Sequence, residues 1–180
     1  MKKYMNNILI YIAALFGIVA FIGLFASPLQ SFNSAKGTWS AYNLRVYLGE
    51  TLKNTSGETK VVYKGTIAPI FGYIFPLVMA IVLIIESFRP AWNAKLAVIN
   101  TILALLFFTS AVLVLLTKEL FLQANEWGNG LVIIDGETVF AIRNGGGPVS
   151  SAICSAIAGI ILLVVTWMPR KRKEIDFIEK

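Results

Sequence analysis

The chain contains no histidine, and this removes most familiar catalytic arrangements at once. A Ser-His or Cys-His pair needs an imidazole to take the nucleophile's proton, and a histidine-containing metal site needs one as a ligand. The single cysteine, Cys154, has no second thiol in the chain with which to exchange a disulfide. It lies among small residues and reads as packing. Carboxylates remain. Glu86 precedes Arg89 at helical spacing, which suits an ion pair. Glu119, Glu126, Asp135 and Glu137 share one polar stretch, but charges at turns and helix ends ordinarily face water. The glycines 145–147 lack the Lys-Ser/Thr that follows a phosphate loop. No catalytic, cofactor-binding or metal-binding set emerges, and a non-enzymatic protein is expected.

The elements that would position these residues are four long apolar runs, 8–26, 67–85, 96–116 and 149–168, free of Asp, Glu, Lys, Arg and His. Each holds about 20 residues, enough at roughly 1.5 Å per residue to span a hydrocarbon core of about 30 Å. A soluble core helix keeps a polar face, and these runs keep none. The composition, 57% hydrophobic and 14% charged, agrees. The expected fold is a membrane all-α four-helix transmembrane bundle with a small exoplasmic antiparallel β-sheet formed by the first and third loops. With no ionisable group inside the runs, an ion or proton pathway has no positive support.

The formal net charge of +6 is unevenly placed. Lys2 and Lys3 precede the first run, Arg89 and Lys95 lie in the second connection, and Arg170, Lys171, Arg172 and Lys173 follow the fourth run. In a four-span protein these clusters share one side, so the positive-inside rule places both termini in the cytoplasm at a plasma membrane. The segments are then a cytoplasmic 1–7, exoplasmic loops 27–66 and 117–148, a cytoplasmic loop 86–95 and a basic tail 169–180. The first loop carries Lys36, Arg45, Lys53, Lys60 and Lys64, but loops of such length translocate largely regardless of charge. The first run is read as an uncleaved anchor, since Leu24, Phe25 and Ser27-Pro28 spoil a cleavage site. The basic tail can contact acidic lipid headgroups. Nucleic acid is not an expected partner.

Small residues mark helix packing. Ser151, Ser155 and Gly159 recur every four residues in the fourth run, and Ala13, Gly17, Ala20 and Gly23 line the first. Small stripes let backbones approach closely in lipid, so the first and fourth helices are expected to pack together, with a homodimer seam as the alternative. Pro76 removes a helical hydrogen bond, and a kink is expected near 72–76. The hydroxyls of Thr101, Thr109 and Ser110 can bond their own helix backbone. Asn100 is expected to meet a neighbouring helix or headgroup water.

The loops are less generic. Residues 38–48 alternate apolar and polar side chains, 59–64 are rich in β-branched and aromatic types, and 131–134 and 138–142 flank Asp135-Gly136, a hairpin signal. One sheet of four or five strands shared by both loops is expected, with 144–148 as a flexible lead into the last span. The layout of four spans, a large first outer loop and a strand-bearing second one resembles that of claudin-type tetraspans. Their first-loop Trp…Gly-Leu-Trp…Cys…Cys signature is missing, since Trp39 stands alone and neither loop has a cysteine. Junction-forming function is therefore not carried over, and the sheet must hold without disulfides.

These readings converge on an interaction, structural or accessory subunit presenting an exoplasmic β-domain. Trp39, Tyr47 and Trp127 are the candidate contact surface. The partner would be another membrane or envelope protein, or a second copy of the chain, beside the lipid bilayer itself. The alternative is a subunit of a transporter or channel complex. Topology is directly testable in a Cys154→Ala background carrying Ser56→Cys, Asn93→Cys, Gly136→Cys or Glu174→Cys. An impermeant thiol reagent on intact cells should label positions 56 and 136 and spare 93 and 174; the reverse pattern inverts the protein.

Overall fold

The computed structural model describes residues 2–33, 37–42, 44–53, 59–88, 94–125, 132–134 and 137–167. The four apolar runs form α1 (Lys2–Ile22, followed by a 3-10 turn at Gly23–Phe25), α3 (Ala68–Ser87), α4 (Ala94–Leu115) and α6 (Gly146–Trp167). Two short helices, α2 (Arg45–Leu48) and α5 (Thr117–Ala124), lie in the connections. All four long helices are long and apolar enough to cross a membrane. A helix is the natural form for such runs because it bonds its own backbone groups where no water is present.

The four pack as a ring in the order α1–α3–α4–α6, closing on α1. Ala13, Ala80, Phe107 and Leu162, one from each helix, are fully buried at the centre. Leu15, Phe71, Val112 and Ile160 remain exposed on the outside, as expected of helices that face lipid rather than water. The second run ends later than its composition implies. α3 continues to Ser87, which brings Glu86 into the helix and leaves it 6% exposed. The expectation of spans without ionisable groups is corrected by this one carboxylate. Its expected partner Arg89 lies outside the described residues.

Pro76 sits inside α3, which continues through it. Proline has no N–H, so the Gly72 carbonyl four residues earlier loses its usual helical donor. Ser110 of α4 replaces it by donating its hydroxyl to the Gly72 oxygen. The close approach this requires depends on Gly72 itself, where a Cβ would come within 2.8 Å of Val114 Cγ1 and 3.0 Å of Leu113 Cβ. Ser110 thus bonds a neighbouring helix instead of its own. Thr101 and Thr109 do bond their own turns, at the Ala97 and Leu105 carbonyls. Asn100 is fully buried in α4, and its amide finds no hydrogen-bond partner among the described residues.

The connections build β1 (Leu29–Asn33), β2 (Thr38–Ala41), β3 (Glu50–Lys53), β4 (Thr59–Tyr63), β5 (Val132–Ile134) and β6 (Glu137–Asn144). A small antiparallel sheet runs in the order β2-β1-β6-β5, so both loops contribute to it. Among the described residues β3 and β4 pair only with each other, which corrects the expectation of a single sheet. The pairing of Ile134 with Glu137 brackets Asp135-Gly136, which lie outside the described residues. The extended reading of 38–48 holds only to Ala41. The helical turn α2 then carries Val46 and Tyr47 inward together, whereas a strand would send these neighbours to opposite faces.

The Pro76–Ser110 relation predicts a specific coupling. Ser110→Ala should cost about 1–3 kcal/mol by orphaning a buried carbonyl. Pro76→Ala returns an N–H to Gly72, so Ser110→Ala in that background should cost about half as much or less. Thermal unfolding of the four variants in detergent measures the coupling, and equal costs in both backgrounds would refute it.

Candidate functional site

The sheet is fixed to the bundle by contacts that leave its other face outward. α2 inserts Tyr47, 1% exposed, against Tyr73 of α3. The Tyr47 hydroxyl donates to the Tyr73 hydroxyl at 2.9 Å, and the rings meet edge-on with centroids 6.0 Å apart. Burial pushes the Tyr47 phenol above its ordinary range, opposed in part by hydrogen bonding to Tyr73 and Thr117, so it stays neutral at physiological pH. The turn at Gly49 has φ +85°, open to glycine without strain.

Two asparagines act as substitute backbone. Asn125, capping α5, accepts from Lys64 N–H at 2.7 Å and donates to Lys64 O at 3.1 Å, tying the approach to α3 onto α5. Asn144 at the end of β6 accepts from Lys118 N–H at 3.0 Å and donates to Leu115 O at 2.7 Å, bridging the junction of α4 and α5. The seam between α1 and α6 is made by backbone. Gly145 N–H donates to Pro28 O at 2.9 Å and Gly147 N–H to Ser27 O at 3.1 Å. The expected flexible lead is therefore a packed junction, with α6 already begun at Gly146.

The inner face of the sheet buries Leu29 and Ile142 against Val46 and Phe121. Its outer face shows a different set. Trp39, 41% exposed on β2, stacks beside Phe32 of β1 with ring centroids 5.4 Å apart. The Arg143 guanidinium of β6 lies 3.8 Å from the Trp39 ring centroid, and its Nε donates to Gln30 Oε1 at 2.9 Å. Register explains the grouping, because Phe32 pairs with Trp39 and Gln30 with Arg143 across β1. A cation over an exposed indole contributes about 0.5–1 kcal/mol and holds both side chains in place.

Of the residues singled out from sequence, Trp39 is on this face and Tyr47 is not. Tyr47 is an internal anchor, because the helical turn directs it into the bundle. Trp127 and the basic residues Arg170, Lys171, Arg172 and Lys173 lie outside the described residues. Ser151 donates to Ala20 O of α1 at 2.6 Å. Ser155 is buried nearby, whereas Gly159 lies against α4, where a Cβ would meet Phe108 Cζ at 3.1 Å and Ala104 O at 3.2 Å. Cys154 is a half-buried free thiol, and Glu119 pairs with Lys118 at 3.3 Å on the surface. Among the described residues no three Cys, Asp or Glu side chains gather as metal ligands. Sequence reasoning missed Arg143, Gln30 and Phe32, since their association depends on β1, a strand that was not expected. No protein-family model, curated protein or solved structure matches the chain.

The three consecutive glycines provide an internal control. A side chain at Gly145 would fall on the Ser27 carbonyl oxygen, and one at Gly147 would come within 2.5 Å of the Gly23 oxygen. Gly146 has nothing within 4 Å. Gly145→Ala and Gly147→Ala should each cost about 1–3 kcal/mol, while Gly146→Ala should be neutral or slightly stabilising. Melting temperatures in detergent would show this, and equal behaviour of the three would mean that the seam is loose.

Proposed function

We propose that the chain is a non-enzymatic, multi-pass accessory protein of the plasma membrane that docks another membrane or envelope protein on its β-domain. In this reading both termini are cytoplasmic and the sheet is exoplasmic. The observation that carries it is the outward group of Trp39, Phe32, Arg143 and Gln30 on a sheet anchored to the bundle. Trp and Arg are the residue types most enriched at the energetic centres of protein interfaces. Here the indole and guanidinium hold each other, so less side-chain freedom is lost on binding. β2 adds main-chain capacity, as it is the edge of the sheet and exposed along its length. The four spans supply position within the membrane, and the glycine seam and Tyr47 keep the platform in one orientation relative to it.

The reading is tested in intact cells with a photo-crosslinking amino acid at Ala41, on the same face as Trp39, and at Ile160 on the lipid-facing side of α6 as control. A discrete protein adduct at position 41, absent at 160 and lost on Trp39→Ala with Arg143→Ala, is expected. No adduct at 41, or one unchanged by the double substitution, would refute docking at this face.

A further inference from the structure

A strand at the edge of a sheet leaves alternate main-chain groups unbonded, and the register of β2 fixes which ones. β2 is the first strand in the order β2-β1-β6-β5, so among the described residues only β1 pairs with it. The register that sets Gln30 against Ala41 continues to Leu29 and Tyr42, where the Tyr42 N–H donates to Leu29 O at 2.9 Å. Along an antiparallel pair, residues bonded to the partner strand alternate with residues that are not. Tyr42, Ser40 and Thr38 therefore turn their N–H and C=O groups toward β1, and Trp39 and Ala41 turn theirs away from the sheet. β1 has the complementary parity. Gly145 N–H donates to Pro28 O at 2.9 Å, so Gln30 and Phe32, opposite Ala41 and Trp39, direct their groups to β6. The N–H and C=O of Trp39 and Ala41 thus line the free edge with no partner among the described residues.

Nothing in β2 blunts this edge. Thr38, Trp39, Ser40 and Ala41 are all exposed, and none is charged or a proline. The pairing with β1 runs without a bulge. Side chains add a sign to the edge. Trp39 and Ala41 share the face that carries Gln30 and Arg143. Arg143 is exposed, with its guanidinium over the Trp39 ring and its Nε bonded to Gln30. Its two terminal nitrogens bond nothing among the described residues, and that planar fork matches a carboxylate. A residue opposite Trp39 on an added strand would share this face and lie within reach of the fork. A second copy of the chain would instead bring another guanidinium to it.

We propose that the docked partner adds an extended, acidic segment to β2 as a further strand of the sheet. Main-chain bonds to Trp39 and Ala41 hold the segment, and an Asp or Glu opposite Trp39 meets Arg143. The inference rests on the docking reading above and names the chemistry of what docks. Backbone bonds supply the hold, and the side chain beside Arg143 supplies the choice.

A photo-crosslinking amino acid at Thr38, whose own N–H faces β1, tests this in intact cells, with the crosslinked segment mapped by mass spectrometry. Ala41→Pro removes an outward N–H and leaves the bonds to β1 in place. The adduct should fall by about tenfold, the scale of one lost backbone hydrogen bond. Ala41→Thr keeps the N–H and should retain the adduct. A charge exchange reads the site even if the proline variant fails to fold. Arg143→Glu should abolish the adduct, and replacing the mapped acidic residue by Lys should restore it. An adduct that survives Ala41→Pro but is lost on Trp39→Ala with Arg143→Ala would leave docking in place and overturn strand addition. So would a mapped segment without Asp or Glu, a failed charge exchange, or an adduct to a second copy of the chain. No adduct at position 38 or 41 would refute docking itself, and the proposal with it.

Discussion

Where water is absent, a backbone carbonyl must find a donor within the protein, and this requirement shapes the bundle at its least regular point. Pro76 takes a donor away from Gly72, and Ser110 supplies one from the adjacent helix. The exchange sets how closely α3 and α4 approach, because a hydroxyl on so short a side chain reaches a carbonyl only across a nearly bare backbone. Gly72 provides that surface. The same economy recurs between α1 and α6, where Ser151 reaches Ala20 O and Gly23 meets Gly147. Apolar contact alone barely distinguishes a helix neighbour from lipid, so these short polar contacts and small residues give the ring its order. Asn100 is the contrast: it is fully buried with no partner among the described residues, where an amide is costly to leave unbonded.

The domain outside the spans meets a related problem with less material. It has no disulfide, because the only cysteine lies in α6. Among the described residues its apolar centre is Leu29, Val46, Phe121 and Ile142, with Tyr42 and Leu122 alongside. Such a core would be marginal alone. Rigidity is borrowed from the bundle instead. Tyr47 extends the domain's packing into α3, Asn125 and Asn144 close gaps between elements as main chain would, and the glycine seam binds the exit of α1 to the entry of α6. A change at that seam should therefore loosen the helices and the sheet together.

The spans could be read directly because the bilayer imposes a length and a composition that few other structures share. Runs expected at 67–85 and 96–116 became α3 and α4 within two residues at either end. That both loops contribute to one sheet could also be read, from the alternation that begins at 38 and the hairpin signal between 131–134 and 138–142. β3 and β4 nevertheless pair apart from it. What was hidden depends on contacts distant in sequence. Residues 38–48 alternate like a strand, yet Val46 and Tyr47 are both claimed by apolar neighbours, and one helical turn satisfies both. β1 carries a short, weak pattern and becomes a central strand because β2 and β6 flank it. The outer group of Trp39, Arg143, Gln30 and Phe32 follows from that strand's register. Single residue types announced Trp39, and only pairing could announce the others. Ser110 follows the same logic: its choice between its own turn and a neighbour depends on a proline 34 residues away.

The two ends of the bundle are built for different surroundings. At the sheet end, polar groups are consumed internally by asparagine amides, tyrosine hydroxyls and glycine N–H groups, and one face of the sheet is left outward. At the other end, Ala97, Val98, Thr101 and Ile102 of α4 and Thr166 and Trp167 of α6 line an open apolar groove. The carboxylate of Glu86 belongs to that second end, next to the last residue of α3, and is far from mid-span. A charge at helix-end depth can be served by headgroups and flanking cations, so it does not imply a conduction path as one at the centre would. The polar resources of the chain are thus concentrated at its two surfaces, and the interior between them is used for packing. That distribution suits a protein that holds a platform at a fixed place in a membrane.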